Sequence, residues 1–442
     1  MPPHVRPSGQ FNRKLFTLSH TRLLFSLVLL VMIFPAYGVE TSIQFEMIAR
    51  TNVTAIPEGL GTFGGLSEAP AIDSEGNIAF VGGGGFDSNG NLQSGIYTFI
   101  NGQYQKVADK NTLIPGDGGA KFTAFYGSDL NDIDMGRVAF RANTVASATL
   151  LGLYSNAGQA NSKDLVELAL VDGNEWTESS HPRIDGQQVA MRGKLPDGYT
   201  EMLLWDGSDA TMDFLDPGVG YIISPNTQAS ISGDATIFRR YKTGSSQLVI
   251  SRSGKIEVLA TIDSTAIPGQ PGLVFSNFNF SPVVDKGGQD AAFRGRGGDV
   301  QGVYKRVNGG ALRTVADTTM FAPGTDSNVF SFFDEAGISL ANGHVAFLGL
   351  GQNFLNGIYT DVGESLSVIV DDKDNNAINL DGKLEQVSDI RFSSKSFAYT
   401  PNGYMIVFRA ALESGGTAII RATINTTTSI QPDTLFSGGF ES

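Results

Sequence analysis

The sequence predicts an all-β fold, a seven-bladed β-propeller closed by its own N-terminal strand, on three observations. A turn followed by a short apolar run recurs seven times along 442 residues. Every copy except the last is followed by two further strand-like stretches, and the stretch that the last copy lacks has its counterpart at the start of the chain. Composition agrees: 54 Gly and 29 Phe with no Cys describe short strands and tight turns, without disulfides or thiolate metal ligands. With 41% of its residues apolar, the chain can bury a substantial core.

Residues 1–38 are expected to be an export signal. Arg6, Arg13, Lys14 and Arg22 precede the twelve-residue apolar run Leu23 to Phe34, and Pro35 stops it. A spanning helix needs roughly 20 such residues, whereas a secretory signal uses roughly 7 to 15 after a basic stretch. The small-residue pattern Ala36-Tyr37-Gly38 places the mature start near Val39, which predicts a periplasmic, cell-surface or extracellular protein with no membrane span after signal removal. What remains has 27 basic and 45 acidic side chains, a net charge of −18, and this balance argues against nucleic acid as a partner.

Residues 39–426 carry the repeats. The first stretches read DSEGNIAFVG, DIDMGRVAFRA, RIDGQQVAMRG, ISGDATIFRR, DKGGQDAAFRG, ANGHVAFLG and PNGYMIVFRA. Their anchors, Phe80, Phe140, Met191, Phe238, Phe293, Phe347 and Phe408, stand 47 to 61 residues apart and about 55 on average, near the blade length of propellers. The second stretches are GIYTF, GLYSN, MLLWD, QLVIS, GVYKR, GIYTD and TAIIR, and the third YQKVAD, VELALVD, ATMDFLD, IEVLAT, LRTVAD and LSVIVD. All are β-branched or aromatic and bounded by Gly, Asn and Asp. Runs such as IAF and VAF are continuous rather than alternating, as strands buried on both faces should be. Residues 44–63 line up with 256–275 and 104–122, so the N-terminal strand is expected to be the outer strand of blade 7. Pro-Gly loops at Pro57, Pro115, Pro268 and Pro323 connect the blades.

These repeats resemble those of secreted bacterial proteins with tandem NxxGxxAF motifs. The match is best at Asp73-Ser74-Glu75-Gly76-Asn77-Ile78-Ala79-Phe80, and Gly136 to Phe140 and Gly343 to Phe347 keep GxxAF, while the other four copies place the glycine one residue earlier. The resemblance implies export and no particular activity. Residues 427–442 are a polar linker and a tail, LFSGGFES, similar to short LFxxGFE endings of secreted gamma-proteobacterial proteins. Leu435, Phe436, Gly439, Phe440 and Glu441 would then be read by sorting machinery; a frayed terminus is the other reading.

Few residues point to chemistry. His181 replaces the Ala69 of the first copy on an inner strand and is a candidate ligand contact, as is Trp176 beside Glu175 for stacking on a carbohydrate. His344 falls at a variable turn-to-strand position and is expected on the solvated surface. Asp372, Asp374 and Asn376 alternate like the oxygen ligands of a calcium loop, but Ala377 and Lys383 replace its glycine and its bidentate Glu, so a solvated acidic hairpin is the competing reading. Asp334-Glu335 stands out as an acidic pair beside aromatics. Asp134-Met135-Gly136 is similar to the Asp-box turn of sialidase propellers, with the aromatic one residue late. With no GxSxG turn, serine catalysis has no support. The expected function is an exported, non-enzymatic binding or interaction module for a protein or glycan, acting as a monomer without a required cofactor. The alternative is a polysaccharide-acting hydrolase or lyase with carboxylates at the axial mouth.

Overall fold

The computed structural model describes residues 37–430 except 87–89, 91, 126–130, 145–150, 160–163, 172–177, 208–211, 279–280, 325–327, 352–355, 364 and 374–376. Val39–Thr428 forms one compact unit and holds the seven blades; of the second unit, Tyr37, Gly38, Ser429 and Ile430 are described, and all four are strand. Blades 1 to 6 comprise residues 65–109, 122–171, 178–214, 222–261, 277–317 and 330–371, each an antiparallel sheet laid down from inner to outer strand. The inner strands are Gly65–Ile72, Asn131–Asp134, Glu178–Asp185, Ser230–Ser232, Val283–Asp285, Phe330–Ala341 and Phe397–Thr400. Each touches the next and the last touches the first, which makes the array a ring.

Blade 7 joins the two ends of the chain. Its strands run Phe397–Thr400, Gly403–Leu412, Thr417–Ile430, and then Tyr37–Arg50 as the fourth. Thr51 N donates to Thr417 O at 3.0 Å and Thr417 N to Thr51 Oγ1 at 2.9 Å, while Arg421 pairs with Glu46. An extra hairpin, Ala377–Leu380 and Lys383–Arg391, covers the outside of this seam: Leu380 faces Phe45 in a parallel pairing, and Val387 faces Leu412. Such a hairpin covers an edge that would otherwise present unpaired backbone.

All seven sequence anchors, from Phe80 to Phe408, are fully buried. The apolar side chains gather in seven clusters, one between each pair of neighbouring blades, which is why both faces of the second strand are apolar. Four interfaces share one aromatic lock. A Phe at the end of the inter-blade loop (Phe63, Phe275) or at the first strand residue after it (Phe122, Phe330) stands edge-on to a Tyr (Tyr97, Tyr304, Tyr154, Tyr359) with centroids 4.8 to 4.9 Å apart. That Tyr pairs across the strands with the anchor, as Phe80 with Tyr97 and Phe293 with Tyr304. The lock explains a recurrent glycine: a Cβ on Gly82 or Gly295 would lie 2.6 Å from the ring of Phe63 or Phe275. Burial raises the pKa of each of these tyrosines, and a neighbouring carboxylate adds to it. Asp109 and Asp317, at the ends of outer strands, accept the amides of Asn111 and Thr319 and so start the Pro-Gly loop.

Candidate functional site

Carboxylates do converge near the axis, at the ends of the inner strands. Asp73 accepts from Gly136 N at 2.9 Å, Asp134 from Gly186 N at 2.6 Å, Asp185 from Gly233 N, and Asp285 from Asn342 N at 2.7 Å. The Ser232 hydroxyl takes the same place for Gly287 N, at 3.2 Å. Each acceptor belongs to one blade and each donor to the turn of the next, and Gly136, Gly186 and Gly233 have the left-handed φ that aims the amide backwards. Burial pushes Asp134 up to about 6; the Gly186 amide and Lys395 oppose this, and Asp185 and Asp132 add to it. A raised carboxylate in a cluster is what a hydrolase needs, yet these carboxylates are occupied in fastening blade to blade.

The axis itself is crossed by a segment of blade 7. Lys395 O accepts from Ile72 N at 2.8 Å, Ser396 Oγ donates to Pro70 O at 2.6 Å, and Ser394 O accepts from Ser339 Oγ at 3.0 Å. The buried Arg183 guanidinium reaches Ser394 Oγ at 2.7 Å, and Lys395 Nζ lies 3.6 Å from the buried Asp132. Residues 393–396 thus touch blades 1, 2, 3 and 6.

Toward the beginnings of the inner strands, where blades 6, 7 and 1 meet, two adjoining cavities of about 330 and 170 Å³ share Asp334, Leu348 and Arg391 as walls. Phe332, Asn356 and Asp389 complete the larger, and Glu68 and Phe392 the smaller. Inner strands are broken or bulged in blades 1 to 6, but here the irregularity takes an unusual form. Among the described non-glycine residues with left-handed backbone, Glu68 (φ 60°) and Asp389 (φ 45°) are the two that sit inside strands rather than at turns. Both lie at register shifts. Such a conformation costs about 1–3 kcal/mol and persists where surrounding contacts impose it, and a bulge re-aims side chains beside functional sites.

The contacts that impose it are explicit. Arg409 donates from Nε to Leu66 O at 3.0 Å and from Nη1 to the Asp389 carboxylate at 2.6 Å, tying the two bulges together. Arg391 also pairs with Asp389, at 2.9 Å. Partial burial works to raise the Asp389 pKa, but the hydrogen bond and charge of Arg409 and the charge of Arg391 hold it below the usual carboxylate range. On the blade 6 side, Asp334 Oδ1 accepts from Ala336 N and Gly337 N at 2.9 and 3.0 Å, which orients its carboxylate. Arg294 donates to Phe333 O at 2.6 Å, pairs with Glu335, and lies 5.2 Å over the ring of Phe332, which is 41% exposed.

Of the residues singled out in the sequence, Asp334 lines this cleft, and its neighbour Glu335 pairs with the Arg294 that lies over Phe332. His181 lies on the inner strand Glu178–Asp185, as expected, though its side chain is outside the described residues, as are Trp176, Asp374 and Asn376. Asp372 accepts from Asn356 N at 2.7 Å ahead of the hairpin. Among the described residues no three His, Asp or Glu side chains are placed to hold a metal. His344 corrects an expectation: it is not a solvated side chain but is half-buried between blades, with Nδ1 3.0 Å from Asp361 O and its ring 5.2 Å from Tyr404. Asp361 is in turn 2.5 Å from Lys305 of blade 5, so His344 is part of an inter-blade polar contact. Glu68, Asp389 and Arg391 had no signal in the sequence, and Phe332 entered it only as an aromatic beside Asp334-Glu335.

The model of a family of unknown function, DUF7453, matches residues 37–199 and 232–432. No curated protein matches the chain. Among solved structures, the β-propeller domain of the Trilobed protease from Pyrococcus furiosus is similar over 83% of this chain and 98% of that one, with 9% identity and a TM-score of 0.47. A prolyl endopeptidase is similar over 82% and 50%, with 13% identity and a TM-score of 0.44, so this chain spans about half its length. TolB from Acinetobacter baumannii is similar over 76% and 78%, with 12% identity and a TM-score of 0.36.

Proposed function

The chain belongs to DUF7453, a family of unknown function, and from that premise we propose that it is an exported, non-enzymatic binding module whose ligand site is the cleft where blades 6, 7 and 1 meet. One observation carries the reading: two acidic residues are held in left-handed backbone inside strands, and they line two adjoining cavities that share Asp334, Leu348 and Arg391 as walls. Sheets do not need that conformation for their own stability, so a site is the economical account of it. Binding is favoured over hydrolysis because the axial carboxylates accept backbone amides from the next blade. The basic start, the apolar run and Ala36-Tyr37-Gly38 support export to the periplasm, cell surface or medium.

The test combines processing and binding. Expressed with its leader in a Gram-negative host, the protein should be recovered outside the cytoplasm with a mature N-terminus near Val39; an intact leader on cytoplasmic protein would refute export. A melting-shift screen of the mature chain against metabolites, peptides and glycans should yield a ligand that stabilises the wild type by mass action and loses at least about tenfold in affinity with Arg391→Ala. A ligand that binds that variant unchanged would place the site elsewhere.

A further inference from the structure

We infer that the cleft takes a neutral saccharide, with one pyranose face stacked on Phe332 and ring hydroxyls hydrogen-bonded by Asp334, Asn356 and Arg391; this rests on the cleft being the binding site. Phe332 is the first reason. A large aromatic side chain left 41% exposed beside a cavity forgoes hydrophobic burial, and here the ring is also held in place. One side lies under the guanidinium of Arg294, which is 9% exposed and fixed by Phe333 O and Glu335. What remains is a flat platform whose π-face is partially negative. The axial C–H groups of a pyranose are apolar and slightly positive, and they match such a face.

Charge selects against ionic ligands. Glu68, Asp334, Asp389 and Arg391 line the cleft, and next to that lining Arg294 lies over Phe332 and pairs with Glu335 while Arg409 pairs with Asp389, four carboxylates against three guanidinium groups in a chain whose formal net charge is −14. Two of those carboxylates are already paired with the cations, Glu335 with Arg294 and Asp389 with both other arginines. An anion would meet the carboxylates and a cation the arginines, whereas a hydroxyl donates to the former and accepts from the latter. The planar groups are pre-oriented: Asp334 by the Ala336 and Gly337 amides, and Arg391 by Asp389. Fixed polar groups of this kind lower the ordering cost of binding. The cavity of about 330 Å³ reaches the size of small-molecule sites, and the adjoining one of about 170 Å³ extends it toward the axis and gives a second ring somewhere to go.

Saturation-transfer NMR and calorimetry on the mature chain decide the matter, with the methyl pyranosides of glucose, galactose, mannose and N-acetylglucosamine and their disaccharides as probes. The expected result is transfer to the C–H protons of one ring face and tighter binding of a disaccharide than of its monosaccharide. Phe332→Ala should weaken that binding at least about tenfold with an unchanged melting curve, and Phe332→Trp should keep or improve it. Absence of transfer to every probe, or binding indifferent to Phe332→Ala, overturns the inference. If a peptide or another small molecule binds in a manner sensitive to Phe332→Ala while no sugar does, the saccharide is wrong and the cleft stands. Sugar binding indifferent to both Phe332→Ala and Arg391→Ala overturns the cleft as well.

Discussion

Blades 1, 2, 5 and 6 and blades 3 and 4 build the same antiparallel blade, its inner strand whole or split in two, with different interiors. In the first group the anchor faces a Tyr across the strands and a Phe from the inter-blade connection or the strand start after it closes on both; in blades 3 and 4 the anchors Met191 and Phe238 face Leu203 and Val249. The clusters around them are otherwise aliphatic, with Trp205 in blade 3, and a cavity of about 400 Å³ lies between blades 3 and 4. The ring therefore needs apolar filling between blades but no particular filling. The aromatic lock is a local solution repeated where a Phe closes or directly follows the Pro-Gly loop. Blade 7 is a third case, in which Phe408 faces Ile420 and the outer strand comes from the other end of the chain.

The largest effect should come from this third case. Deleting residues 39–50 removes the outer strand of blade 7, and a single cooperative melting transition should disappear; a truncated protein that melts as the full chain does would show that closure is dispensable. Next, Phe293→Ala should lower stability by about 3–5 kcal/mol. It should exceed Met191→Ala by about 0.5–1.5 kcal/mol, the edge-to-face contribution of the lock, in chemical denaturation. Equal losses would dissolve the distinction between the two groups. A smaller effect is expected of Gly295→Ala, about 1–3 kcal/mol from forcing a methyl against Phe275. Blade 2 already carries Ala142 at the equivalent place, and its Phe122–Phe140 distance is 6.1 Å against 5.6 Å for Phe275–Phe293.

The smallest effect concerns Asp134, where blade 2 meets blade 3. Because its pKa is raised to about 6 from 3.8, the folded state holds this proton more tightly than the unfolded one. The stabilisation is complete below about pH 4 and is lost as pH rises through about 6. Asp134→Asn keeps an acceptor for Gly186 and removes the dependence. Its melting temperature, relative to wild type, should therefore rise between pH 4 and 7 by about 2 °C. A difference that does not vary with pH would mean that Asp134 is ionised in the fold throughout that range.

Much of the architecture was legible because burial on both faces leaves a mark within a few residues. All seven anchors, the strands beside them and the outer strand borrowed from the N-terminus occupy the places their pattern implied. Part of the cleft was legible too, since Asp334-Glu335 stood out beside Phe332 and Phe333. His344 was misplaced because its position in the repeat is variable, and what covers it, Tyr404 and the Lys305–Asp361 pair, comes from three different blades. The covering hairpin at 377–391 had no strand assignment in the sequence, since four residues of Ala377–Leu380 carry too short a pattern to announce which strand they will join.

The sequence by itself determined the number of blades, their order and the way the ring closes, because each depends on apolar residues packed against neighbours in a repeating frame. Only the tertiary structure decided where a ligand could sit. Glu68 is hundreds of residues from Phe332 and Asp389, and they come to one cleft because ring closure sets blade 1 beside blade 7 and because Arg409 holds two bulges in a backbone conformation that acidic residues do not advertise.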